Sequence, residues 1–257
     1  MLQSHIDFWP DDVKITAYHE GQTPDLIHPK IEYVNIEEAN PELVKFKTRH
    51  KNDPVANGEI EEIKGGVRRL PEAGNNDKGK GSYLWDAVRF AHKTFAVDHA
   101  IKNINVDYIL WLDADTYTFR NIPKSFVTDL LPSDKLVNYL GRGDKYPECG
   151  WVCYNRRHLL LNRFMKTWTD MYINDTIFNE IEWHDSYVFW EVLKKIKPNH
   201  GNIKDFSGHI INGEGHPLIN CELGKYFDHL KGVRKSEGRS RKRDLLQPRN
   251  ETYWNEV

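Results

Sequence analysis

Residues 106–116, VDYILWLDADT, decide how the chain is read. VDYILWL is a nearly continuous apolar run about as long as a buried strand. Such runs suit the central strand of a sheet covered on both faces. The run stops at Asp113-Ala114-Asp115. Two carboxylates one residue apart at the carboxyl end of a buried strand can turn toward one cation, and oxygen ligands of this kind suit Mn²⁺ or Mg²⁺. A diphosphate would complete the coordination shell, and the metal would neutralise the charge that a leaving nucleoside diphosphate gains. The plain alternative is that Asp113 caps a turn and Asp115 starts the following loop. A bare D-x-D occurs by chance in many proteins, and its place directly after an apolar strand favours the metal reading.

Just before this strand, residues 83–103 have helical period. Leu84, Val88, Ala91 and Phe95 share one face, and Asp86, Arg89 and Lys93 share the opposite one. Toward the N-terminus, residues 13–19 (VKITAYH) read as a strand, and the polar, Gly-rich stretch 52–82 reads as loop. Beyond the D-x-D, 123–131 reads as a short helix, with strands at 136–140 and 151–154. Helices follow at 158–173 (Leu160, Phe164, Trp168 and Met171 inward) and 184–196 (Val188, Val192, Leu193 and Ile196 inward). Alternating strands and helices predict an α/β sandwich with a mostly parallel central sheet, which binds ligands beyond the carboxyl ends of its strands.

Composition sets the outer bounds. At 257 residues the chain has the size of a single domain, and its 12% aromatic content argues against disorder. With 36 Lys+Arg against 38 Asp+Glu, nothing draws it as a whole to nucleic acid or anionic membrane. The basic run at 239–243 is a poor case for a nucleic-acid patch in a chain of net charge −2. No apolar stretch reaches the ~18 residues of a membrane span, and the start lacks the pattern of a secretory signal. Cys149, Cys153 and Cys221 form neither a disulfide framework nor zinc-ligand spacing. These features predict a soluble cytoplasmic protein with reduced thiols.

Far downstream lies a second pattern, His229-Leu-Lys-Gly232-Val-Arg-Lys235, or H-x-x-G-x-x-K. An imidazole can add a nitrogen ligand to a metal, a glycine lets backbone approach phosphate, and a lysine supplies it with a point charge. By itself this run also reads as a solvated basic loop.

Together, the strand-D-x-D element and the late H-x-x-G-x-x-K resemble glycosyltransferases of the GT-A fold, most nearly the glycogenin and galactosyltransferase-like group (glycosyltransferase family 8). WLDADT, ECGWVCYN, EWHDSYVF and DHLKG also resemble uncharacterised glycosyltransferase-like proteins of phages and bacteria over nearly the whole chain. The resemblance implies a metal-dependent, retaining, hexosyltransferase-like enzyme that uses a nucleoside-diphosphate sugar donor and a glycan or surface-polysaccharide acceptor. It implies that Asp113, Asp115 and His229 bind Mn²⁺ (or Mg²⁺), and that Gly232 and Lys235 contact the donor diphosphate. After Lys235 the group usually has Pro-Trp, where this chain has Ser236-Glu237. Arg89 and Lys93 are candidates for donor phosphate or sugar, with a solvated helix face as the alternative. Asp185 is the candidate for sugar or acceptor, with a helix N-cap as the alternative. Residues 231–243 are expected to act as a lid or basic loop. GT-A folds open with a strand whose end contacts the nucleotide base. This chain instead opens with the tail of a helix, a turn at Pro10 and then a strand. Roughly one strand and most of one helix would therefore be missing ahead of Met1, unless the sheet simply begins at Val13. A nucleotidyltransferase would also set a metal on paired aspartates, but it needs a Gly-rich basic loop that 13–24 lacks. An inactive binding relative would be expected to lose a ligand, and all three are present.

Overall fold

The computed structural model describes residues 1–58, 82–143, 145–197, 202–207, 216–232 and 234–255. The fold is mixed α/β. Helix α1 (Leu2–Phe8) leads through a turn into strand β1 (Ile15–His19), as the sequence reads, and β1 pairs in parallel with β2 (Ile31–Asn35). Helices α2 (Ile36–Ala39) and α3 (Pro41–Arg49) follow, and most of the stretch read as loop at 52–82 lies outside the described residues. The periodic segment before the D-x-D is α4 (Ala87–Asn103), N-capped by the Asp86 side chain, which accepts from the Arg89 N–H.

The VDYILWL run becomes β3 (Tyr108–Leu112), and β4 (Thr116–Thr118) follows directly. After α5 (Lys124–Asp129) come β5 (Val137–Arg142) and β6 (Lys145–Asn155), then α6 (Leu161–Ile173), α7 (Asp185–Ile196) and β7 (Ile203–Asp205). The last part holds α8 (Pro217–Asn220), β8 (Phe227–His229), α9 (Arg234–Glu237) and α10 (Thr252–Asn255).

The main sheet runs β3-β6-β5-β7 and is mixed, where the alternation of elements predicts a mostly parallel one. β6 is antiparallel to both β3 and β5, and only β5–β7 is parallel. The cause is local. Gly143, at φ 60°, lets the chain turn straight back from β5 into β6, and strands joined by so short a turn can only pair antiparallel. β3 is likewise not central. It forms the open end of this sheet, and its five residues are only half-buried.

Alternation along β6 divides the core. Val152 and Tyr154 face the helical layer of α4, α6 and α7, with Phe95, Phe164, Trp168 and Phe189. Trp151 and Cys153 face the other side, with Leu140, Leu218, Phe227 and Trp254. Among the described residues no helix is long and apolar enough to cross a membrane.

Candidate metal centre

β3 ends where the Asp113 N–H donates to the Gly150 carbonyl, and the Thr116 N–H closes a tight turn onto the Asp113 carbonyl. The chain then enters β4, which pairs antiparallel with β8 so that Thr116 lies opposite His229. The Leu230 N–H donates to the Asp115 carbonyl and extends that ladder by one bond. His229 Nε2 therefore sits 2.9 Å from Asp115 Oδ1 and 3.8 Å from Asp113 Oδ2. One ligand atom from each of Asp113, Asp115 and His229 falls within 4.8 Å of the others. The imidazole is fully buried and the carboxylates are about a quarter exposed, at 27% and 21%, so the cluster opens to solvent on its carboxylate side.

Each carboxylate has one oxygen engaged away from the centre. Asp113 Oδ1 accepts from Trp111 Nε1 at 2.7 Å and Lys93 Nζ at 2.9 Å, which leaves Oδ2 turned toward the imidazole. Asp115 Oδ2 meets Lys235 Nζ at 2.9 Å, and Oδ1 meets His229. Burial alone would raise Asp115, but His229 and Lys235 outweigh it and hold the carboxyl well below the usual range. It stays ionised and available to a cation.

The imidazole needs room, and Gly150 supplies it. A Cβ there would stand 2.3 Å from His229 Cε1. Beneath the imidazole, buried Glu148 accepts from Lys231 Nζ at 2.6 Å through both oxygens. Burial would raise Glu148; Lys231, then His229 and His216, hold it well below its ordinary value. The His216 ring lies 5.0 Å from that of His229, and burial followed by the charge of His229 pushes it down to about 3. His229 Nδ1 is buried with no hydrogen-bond partner among the described residues, whereas Nε2 is held by Asp115.

Lys93, read on the polar face of α4, is buried. Its ammonium joins Asp113 to Asp185 Oδ2 at 2.6 Å and also donates to the Cys149 carbonyl. Burial would lower Lys93, but Asp113 and Asp185 hold it well above the lysine range, and Lys93 in turn holds Asp185 below its own. Asp185 is the first residue of α7, and His184 takes the N-cap position. Arg89 is exposed over the Phe90 ring, with no described contact to the cluster. Gly232 has φ +59° with open space where a Cβ would go, so its requirement is the left-handed backbone. The described residues of 231–243 are pinned by Arg234 on Asp244 and by Ser240 on buried Asp228.

Sequence reading missed Trp111, Glu148, Gly150, His216 and Lys231. Glu148 carried a signal: a lone charge inside an apolar strand asks for a buried partner. No family model matches the chain, and no curated protein matches it.

The donor set of two carboxylates and an imidazole, opening to solvent, fits Mn²⁺ or Mg²⁺. Among the described residues, Asp113, Asp115, Glu148 and Asp185 face the ammonium groups of Lys93, Lys231 and Lys235, with the His229 imidazole beside both metal-ligand carboxylates.

Proposed function

We propose that the chain is a GT-A-type glycosyltransferase that moves a sugar from a nucleoside-diphosphate donor to a glycan acceptor. The observation that carries this reading is the convergence of Asp113, Asp115 and His229 with Lys235 at the solvent mouth. When bound, the metal supplies charge neutralisation for the departing diphosphate. Lys235, 56% exposed at its side chain, is free to swing from Asp115 to a phosphate. The left-handed turn at Gly232 sets the backbone that presents it. Lys93 fixes Asp113 and Asp185 relative to one another, so the metal ligand and the group we assign to sugar or acceptor move as one unit.

The test is donor hydrolysis across a panel of nucleotide sugars with Mn²⁺ present. Turnover of one donor, lost in EDTA and in Asp115→Asn, is the expected result. Full activity in EDTA, or no turnover of any donor by folded, Mn²⁺-loaded protein, overturns the reading.

A further inference from the structure

Trp111 lies in β3, and Asp113 follows the last residue of that strand, where the Asp113 N–H continues the ladder to the Gly150 carbonyl. Side chains two residues apart on a strand leave the same face. Here that face is the helical layer, against which Trp111 packs. Lys93 rises from α4 on the same side, with its ammonium 5.2 Å from the centre of the Trp111 ring. The indole N–H and the ammonium then close on one atom, Asp113 Oδ1, at 2.7 and 2.9 Å.

The two carboxylates of the metal centre are therefore held unequally. On Asp113 both donors are built in. Trp111 is fixed by the strand, and Lys93 is buried and tied to Asp185 Oδ2 and to the Cys149 carbonyl. On Asp115, Oδ2 meets Lys235, whose side chain is 56% exposed and can turn away. A carboxylate passes between one-oxygen and two-oxygen ligation by turning about its last side-chain bond. Two donors locked on one oxygen remove the second mode. For Asp113 the oxygen left for a cation is Oδ2, 3.8 Å from His229 Nε2.

We propose that Trp111 is a positioning residue that sets the choice of ion: its indole N–H restricts Asp113 to a single ligating oxygen, which favours Mn²⁺ over Ca²⁺. The proposal rests on the metal reading above and goes beyond it, because it assigns selectivity to a side chain that acts through a ligand. Ca²⁺ gathers about six to eight oxygens and often takes a carboxylate through both of its oxygens. An octahedral ion is served by one oxygen from each aspartate and the His229 nitrogen, with three positions left for water or phosphate. The imidazole also disfavours Ca²⁺. The share of Trp111 is thus read from the change its variant makes, and not from the preference of the parent.

Trp111→Phe keeps an aromatic ring on the strand and removes the N–H. Mn²⁺ affinity is read on the full chain without nucleotide by electron paramagnetic resonance titration, and Ca²⁺ affinity by competition against Mn²⁺. The ratio of Mn²⁺ to Ca²⁺ affinity should fall by about tenfold in Trp111→Phe, the low end of what partners of metal ligands are worth. The thermal midpoint should stay close to that of the parent. A second measurement uses the parent alone. Of the eight tryptophan indole N–H signals in ¹⁵N-labelled protein, one should broaden away ahead of the others as Mn²⁺ is added, and Mg²⁺ should shift that same signal. An unchanged affinity ratio in folded Trp111→Phe, whether or not its midpoint falls, makes Trp111 a packing residue and overturns the proposal. So does a parent in which no indole signal responds ahead of the rest. A parent that binds no Mn²⁺ at all overturns the metal reading itself, and this proposal with it.

Discussion

His229 Nε2 lies 2.9 Å from Asp115 Oδ1, although 114 positions separate the two residues. The short ladder between β4 and β8 brings them together, and its register leaves no freedom: a slip of one residue would turn His229 to the opposite face. Tyr253 and Ser240 both donate to Asp228, the residue before His229, and so tie β8 to the C-terminal segment.

Metal binding follows from that geometry. Changes around a metal's ligands already cost about 10–100-fold in affinity, so removing a ligand should reach the top of that range or exceed it. Asp115→Asn and His229→Ala are expected to weaken Mn²⁺ this much by electron paramagnetic resonance titration. Lys235→Ala should leave Mn²⁺ affinity without nucleotide nearly unchanged. A His229→Ala protein that binds Mn²⁺ like the parent removes the imidazole from the ligand set.

Gly150→Ala should injure the same centre from behind. The new Cβ would meet His229 Cε1 at 2.3 Å and Glu148 Oε1 at 3.2 Å, and neither buried group has slack to retreat. Overpacking of this kind costs about 1–3 kcal/mol, or roughly 2–4 °C of melting temperature per kcal/mol at this size. Calorimetry and Mn²⁺ titration should fall together. A melting point within a degree of the parent would mean that the imidazole is not held where the structure puts it.

Much of this was legible in the sequence, and the gaps have causes. The inward faces read for α6 and α7 are the buried ones, with Phe164, Trp168, Val188 and Val192 at 0% exposure. Asp113, Asp115 and His229 were readable because strand-end carboxylates and an H-x-x-G-x-x-K run are local patterns. β4 and β8 were not, since each is a three-residue strand stabilised by a partner more than a hundred residues away. β6 was read only at 151–154, because Pro147, Glu148 and Gly150 interrupt its apolar pattern. Two of those interruptions, Glu148 and Gly150, serve the site. Lys93 was read on one polar helix face with Arg89, yet Arg89 is exposed while Lys93 is buried, which follows from its pairing with Asp113 and Asp185 across the fold.

Lys93 is the next test. Removing one member of a buried charge group leaves its partners uncompensated and typically costs 3–5 kcal/mol. Lys93→Met keeps the side-chain volume but leaves Asp185, with a side chain 13% exposed, without the ammonium that contacts it at 2.6 Å. Urea denaturation should show a loss of about that size, partly restored when Asp185→Asn is added. An unchanged urea midpoint in Lys93→Met would mean that water, not lysine, neutralises the aspartates.

The final prediction concerns pH and the strand that carries Thr116 to Thr118. His5 Nδ1 lies 2.8 Å from Thr118 Oγ1, and Trp9 Nε1 donates to that same oxygen at 3.1 Å. With the oxygen accepting from Trp9, the hydroxyl is oriented to donate to a neutral His5. Burial, and then the positive charge at the N-terminus, push His5 from 6.5 down to about 4. Between those values the unfolded chain binds a proton that the folded chain refuses, so stability is fully present above pH 6.5 and falls as the pH drops toward 4. At 1.36 kcal/mol per unit the loss is roughly 3 kcal/mol. Glutamine at this position can still accept from Thr118 but cannot be protonated. His5→Gln should therefore flatten the decline in stability between pH 6.5 and 4 relative to the parent, measured by denaturation at half-unit steps. Parallel profiles for the two proteins would show that His5 is protonated in the folded state and that its bond to Thr118 is not the one described.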